Sequence, residues 1–137
     1  MRAVLGGLGL AALATGVAAG GDPLDALRWR SRVLVVSAPD GGDAGLKAQR
    51  AALGPVRGGL AERDLVVIEA NGGEPAAQAL RDRLGLPAGA FRAVLVGKDG
   101  GAKLTSDAPI PPQRLFATID SMPMRREEMQ RSSARRP

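Results

Sequence analysis

Three uninterrupted apolar runs constrain this chain more than any other feature. They are Arg32-Val33-Leu34-Val35-Val36-Ser37, Asp64-Leu65-Val66-Val67-Ile68-Glu69 and Phe91-Arg92-Ala93-Val94-Leu95-Val96. Each is short, rich in β-branched residues and bounded by turn-forming sequence, which predicts a strand rather than a helix. Continuous rather than alternating apolarity predicts strands covered on both faces, so the sheet needs a layer of helices above and below it. The intervening segments supply them. Asp43 is a suitable N-cap, and Leu46, Leu53, Val56 and Leu60 follow on one face. Pro55, with Gly54 before it and Gly58-Gly59 after, predicts a kink or a split in that helix. A second helix is predicted over Pro75–Leu84, with Ala76, Ala79, Leu80 and Leu84 inward and Gly85 as its C-cap.

After the third run, Lys98-Asp99-Gly100-Gly101 is a hairpin signal, with Ala102–Ser106 as the returning strand. Pro111-Pro112 opens a last helix whose buried stripe is Leu115, Phe116, Ile119 and Met122. Pro123 interrupts it, and residues 125–129 resume as helix. The order is strand-helix-strand-helix-strand-strand-helix, with two crossovers placing the first three strands in one sheet. That order predicts an α/β fold: a thioredoxin-like three-layer sandwich with a mixed central sheet and helices on both faces.

The chain contains neither cysteine nor histidine. Thiol redox chemistry, a Ser-His-Asp triad and Cys- or His-ligated zinc are therefore excluded. The N-terminus predicts export. Arg2 is followed by an apolar or small-residue run from Val4 to Val17, and Val17-Ala18-Ala19 offers small residues before a cut. The domain boundaries that follow are a signal peptide over 1–19, one domain over 20–129 and a disordered basic tail over 130–137. The Ala-, Gly- and Arg-rich composition suits a GC-rich bacterial source, which makes the expected address the periplasm or the exterior. The 19 basic residues outnumber 14 acidic ones. However, Arg125, Arg126, Arg131, Arg135 and Arg136 crowd the last stretch, and the body is close to neutral. A basic tail without a basic face, and only Trp29, Phe91 and Phe116 as aromatics, excludes nucleic acid as a partner. Contact of the tail with a membrane is a minor reading.

Several segments together resemble the bacterial family of domains of unknown function numbered 4174. They are Arg32-Val33-Leu34-Val35 leading into Ala38-Pro39-Asp40, then Glu62-Arg63-Asp64-Leu65-Val66-Val67, then Gly97-Lys98-Asp99-Gly100-Gly101. The most specific is Ile119-Asp120-Ser121-Met122-Pro123-Met124-Arg125. The resemblance runs from about Leu24 to Met129. It implies a thioredoxin- or peroxiredoxin-like fold, export, and similarity to modules of sushi-repeat-containing extracellular proteins of animals. It implies no activity and brings no catalytic residues.

In thioredoxin-like folds the chemistry sits in the loop after the first core strand, here Ser37 to Asp43. Without a cysteine, what remains is a Gly41-Gly42 turn at a helix N-terminus, which can offer N–H groups to an anion. Asp40 and Asp43 would repel one, and the simpler role for Asp43 is capping. Neighbouring strand ends add Glu69, Asn71 and Arg92, the last near the place where relatives of the fold carry a cis-proline. Asp40, Asp43, Glu69 and Arg92 are thus the candidate binding residues. Arg92 could hold a carboxylate or phosphate bidentately, or simply pair with Asp40 or Asp43. Hard-cation ligation by the carboxylates lacks EF-hand spacing, so no metal is assigned. The second candidate is a partner surface of Met122, Met124, Arg125 and Met129, methionine being an adaptable contact residue. Its thioethers could also take Cu(I), which is not assigned. The simpler account has Met122 and Met129 covering the core, with Arg125 and Arg126 paired to Glu128 or Asp120. The functional expectation is a non-redox binding or interaction module for a protein or small-molecule partner, with no cofactor. The alternative is a hydrolase-like enzyme built on the carboxylate and Arg92 cluster.

Overall fold

All seven residues of the first strand, β1 (Arg32–Ala38), are buried, and the other elements are arranged around it. The computed structural model describes residues 22–135, so the expected signal peptide and the last two tail residues lie outside the described residues. The order continues with α2 (Ala44–Leu53), a 3-10 turn (Gly54–Val56), α3 (Arg57–Glu62) and β2 (Leu65–Asn71). After these come α4 (Pro75–Leu84), β3 (Arg92–Val96), β4 (Ala102–Ser106), α5 (Pro112–Asp120) and α6 (Pro123–Arg135). A short helix α1 (Pro23–Leu27), which the sequence reading did not anticipate, precedes β1 and is capped by the Asp22 carboxylate on the Leu24 N–H.

The four strands form one mixed sheet in the order β2-β1-β3-β4. β1 and β2 are parallel, while β3 runs antiparallel to β1 and β4 antiparallel to β3. The second crossover expectation is thereby corrected. After α4, residues 85–91 carry the chain back to the C-terminal end of β1, where Arg92 pairs with Ser37, so β3 enters in the opposite direction. β2 is then an edge strand rather than a central one, and its Val66 and Val67 are only half-buried.

Side-chain alternation along β1 divides the core in two. Leu34, Val36 and Ala38 face α2, α3 and α5 together with Leu46, Leu53, Ile110, Leu115 and Ile119. Val33 and Val35 face α1 and α4 together with Leu24, Leu27, Ala77 and Leu80. The result is an α/β sandwich with helices on both faces of a mixed sheet.

Local signals explain most boundaries. Asp43 caps α2, its carboxylate accepting from the Leu46 N–H at 3.0 Å. Pro55 splits the following helix, as expected from its missing N–H. Gly85 ends α4 in the left-handed conformation, φ 69°. The hairpin turns at Gly100, φ 87°, with the Asp99 carboxylate accepting from the Gly101 N–H at 2.9 Å. The inward face of α4 is shifted by one residue from the expectation. Ala76 and Ala79 are exposed, and Ala77, Leu80 and Arg81 are buried. The cause is Arg81, an inward-facing residue that a reading by hydrophobicity places outside. Helix α6 also continues through residues 130–135, where a disordered tail was expected.

Candidate functional site

The C-terminal ends of β1 and β2 gather all four candidate binding residues at one end of the sheet, yet do not join them. Asp40 and Asp43 lie in the loop after β1. The Asp40 carboxylate accepts from the Gly42 N–H at 2.8 Å, closing its own turn, and Asp43 is spent on the α2 cap. Glu69 shares the α2 face with Leu65 and Val67, by the two-residue period of β2. There it receives two hydrogen bonds from Arg50, at 2.7 and 2.5 Å, and one from Asn71 at 3.5 Å. Arg92 shares the opposite, α4 face with Val94 and Val96, so the sheet separates it from Glu69. The expected pairing of Arg92 with Asp40 or Asp43 is corrected: its guanidinium donates to the carbonyl of Phe91 at 2.8 Å. Among the described residues, no three carboxylates converge in a manner that could hold a metal ion.

Sequence reasoning missed the most buried charge at this end. Arg81 is 1% exposed. Its guanidinium donates to Ser37 Oγ at 3.0 Å, to the Ala38 carbonyl at 3.0 Å and to the Ala70 carbonyl at 3.1 Å. It thereby ties α4 to the ends of β1 and β2. The inward stripe Ala77, Leu80, Leu84 passes through position 81, which is the signal that could have found it.

The other end of the sheet carries a charge network and two clefts. Arg32, 1% exposed, opens β1. It donates to both Glu128 oxygens, at 3.1 and 3.2 Å, and to the Arg63 carbonyl at 2.9 Å, while its Nε has no partner. Lys98 bridges Glu128, at 2.8 Å, to Asp64, at 2.9 Å. Burial pushes the Glu128 carboxyl up, but the hydrogen bonds from Arg32 and Lys98 outweigh it and hold the group below its ordinary range. Asp120 follows the same logic: burial raises it, and hydrogen bonds from Arg63 and Arg125 bring it below the ordinary value. Arg125, buried, also donates to Glu62 at 2.8 Å. Its pairing with Asp120, at 3.0 Å, is the one the sequence anticipated.

The larger cleft, about 580 Å³, lies between the β3–β4 turn and the α5–α6 junction. Trp29, Met122, Pro123 and Met124 form an apolar side, and Arg32, Lys98 and Lys103 a cationic one, with Asp99 held by Lys103. Trp29 and Met124 are the exposed large hydrophobic residues among those described, at 59% and 36%. Trp29 has φ 70°, in the left-handed region, and its N–H donates to the Lys98 carbonyl. For a bulky residue that conformation costs about 1–2 kcal/mol, and such strain concentrates at functional sites. The Arg28 guanidinium lies over the Trp29 ring, 5.4 Å from its centroid. The proposed partner surface is divided between the two clefts. Met122 and Met124 line this one, while Met129 and Arg125 line a second of about 540 Å³ with Glu62 and Glu128. Met122 also packs against the core, as the simpler account had it, whereas Met129, expected to do the same, lines the second cleft instead.

The family model described as Domain of unknown function (DUF4174) matches residues 23–128, and the chain belongs to that family. No curated protein matches it.

Proposed function

We propose that this chain is an exported, thioredoxin-like domain that acts as a non-redox binding module, and that its binding surface is the Trp29–Met124 cleft. The strand order β2-β1-β3-β4, with β3 antiparallel to its neighbour β1, supports the thioredoxin-like assignment. The Arg2 and Val4–Val17 pattern supports export. The observation that carries the binding reading is the contrast between the two ends of the sheet. At the β1 loop end, Asp40 and Asp43 are committed to backbone N–H groups and Glu69 to Arg50. At the other end, an exposed tryptophan in a strained conformation and an exposed methionine line the same open cleft. Surface apolar groups that cost stability to hold are the mark of an interaction site. The enzyme alternative receives less support, because the sheet stands between Glu69 and Arg92.

A thermal-shift screen of residues 20–137 with phosphorylated metabolites, dicarboxylates and peptides tests this reading. Stabilising hits that vanish in Met124→Glu and survive in an Asp40→Ala, Arg92→Ala double variant are expected. Hits with the reverse pattern, or turnover of any substrate lost in that double variant, would overturn it. N-terminal sequencing of the protein recovered from a periplasmic fraction tests export, with Gly20 as the expected first residue.

A further inference from the structure

We propose that the cleft between the β3–β4 turn and the α5–α6 junction takes a small amphiphilic carboxylate: an apolar chain or ring bearing a single anionic end. This rests on the binding reading above and supplies its ligand class.

The apolar half of the ligand is specified by Trp29, Met122, Pro123 and Met124. Two of these are the exposed large hydrophobic residues among those described, and both face the same cleft. Methionine side chains adapt to irregular apolar shapes, so this wall suits a flexible chain as well as a ring. The volume, about 580 Å³, is that of a small-molecule site rather than a protein groove.

The anionic half is specified by charge. Arg32, Lys98 and Lys103 line the cleft, but Glu128, Asp64 and Asp99 answer their charge, so the uncompensated positive charge comes from the arginines beside Trp29. Arg32 is buried and keeps one N–H, at Nε, without a partner. Arg28 and Arg30 flank Trp29, both exposed, and neither forms an ion pair among the described residues. Arg28 lies over the Trp29 ring and against the turn at Gly100, close enough that a Cβ there would meet its Nε at 3.3 Å, so it stands beside the residues that line the cleft. A cation would meet this positive rim unfavourably, and a neutral chain would leave it unused.

Trp29 is the sole tryptophan, so its emission reports the cleft directly. The experiment titrates the full mature chain with octanoate, 1-octanol and octylammonium at fixed ionic strength, below their micellar ranges. Octanoate is expected to give a saturable change with a midpoint about tenfold lower than either analogue. Met124→Glu should abolish the octanoate response with far-UV dichroism unchanged. A double Arg28→Ala, Arg30→Ala variant should raise the octanoate midpoint about fivefold and leave the 1-octanol response in place. The proposal is overturned if octanoate gives no saturable change. It is equally overturned if 1-octanol or octylammonium binds as tightly, or if Met124→Glu leaves the octanoate response intact. A chain that fails here but keeps Met124-dependent peptide hits in the thermal screen has lost only its ligand class. One that turns over a substrate through Asp40 and Arg92 has lost the binding reading itself.

Discussion

Replacing Glu128 by Gln should destabilise the folded state by about 3 kcal/mol, the cost of leaving a buried charge without its partner. The magnitude follows from the asymmetry of the pair. Glu128 is 15% exposed and Arg32 only 1%, so the arginine cannot turn to water when the carboxylate is lost. It would keep the Arg63 carbonyl, at 2.9 Å, and one hydrogen bond at most to the glutamine amide oxygen, with no opposing charge from Glu128. Lys98 loses one of its two carboxylates as well, but it retains Asp64. One relief route exists. Glu128 rides on α6, whose buried residue is Arg125, so α6 is docked by ion pairs more than by apolar area. If α6 lifts, the loss is capped by its docking free energy, and helical dichroism falls before the main transition.

Urea unfolding followed by Trp29 fluorescence and far-UV dichroism measures the effect, which corresponds to roughly 10–15 °C in Tm for a domain of this size. Adding Arg32→Met to Glu128→Gln should recover at least half the loss, because a buried apolar residue replaces an unpaired charge at little cost. A Glu128→Gln effect below about 0.5 kcal/mol, within the range of ordinary surface changes, would refute the reasoning. Failure of Arg32→Met to rescue would do the same. The pair also sets a sign for acid. Glu128 titrates below its ordinary 4.5 and Asp120 below 3.8 in the folded state. Groups depressed in this way stabilise the fold above their unfolded values and release that stability as pH falls through the folded ones. The wild-type urea midpoint should therefore drop as pH falls below about 4.5. Glu128→Gln should show a shallower acid limb.

Other substitutions probe separate features. Trp29→Gly removes the strain of φ 70° from a residue that buries little, so stability by dichroism should hold or rise by about 1 kcal/mol; a loss larger than that would show that the ring supports the fold. Gly58→Ala should stabilise α3 by about 0.5–1 kcal/mol, since a Cβ there meets nothing within 4 Å. Gly59→Ala should destabilise, because its Cβ would lie 2.8 Å from the Phe116 ring, over which Arg63 stacks at 4.1 Å. Equal urea midpoints for the two glycine variants would contradict the packing. Arg81→Met should cost about 2–4 kcal/mol by leaving Ser37 and two strand-end carbonyls without their donor. With no carboxylate bonded to Arg81, that loss should be the same at pH 4 and pH 7.

The fold was largely legible because its signals are local or periodic. Asp43, Pro55, Gly85 and the Asp99-Gly100 turn each act within a few residues, and each did what its chemistry dictates. The direction of β3 was not legible, since nothing in residues 91–96 records which end of β1 they meet. The candidate cluster misled for a reason that strand parity could have exposed. Glu69 is even-spaced from Leu65 and Arg92 from Val94, and those series belong to opposite faces of the sheet. The cleft was half legible. Met122 and Met124 were singled out by type, but Trp29 joins them only through a left-handed backbone that no residue preference predicts.

Buried arginine is the common element behind both what was missed and what now holds the domain together. Lacking cysteine, the chain has no disulfide with which to tie helices to the sheet. Arg32 ties β1 to α6, Arg81 ties α4 to β1 and β2, and Arg125 ties α6 to Asp120 at the end of α5 and Glu62 at the end of α3. Five N–H donors in a planar fork let one such side chain reach several elements at once. The three differ in what answers their charge. Arg32 and Arg125 face carboxylates, so their contributions fade in acid, whereas Arg81 faces a hydroxyl and carbonyl dipoles and keeps its contribution. The end of the sheet at the β1–α2 loop is thus locked by an arginine bonded to a hydroxyl and to carbonyls. The end that carries the cleft is held by ion pairs, which water, salt and acid can loosen.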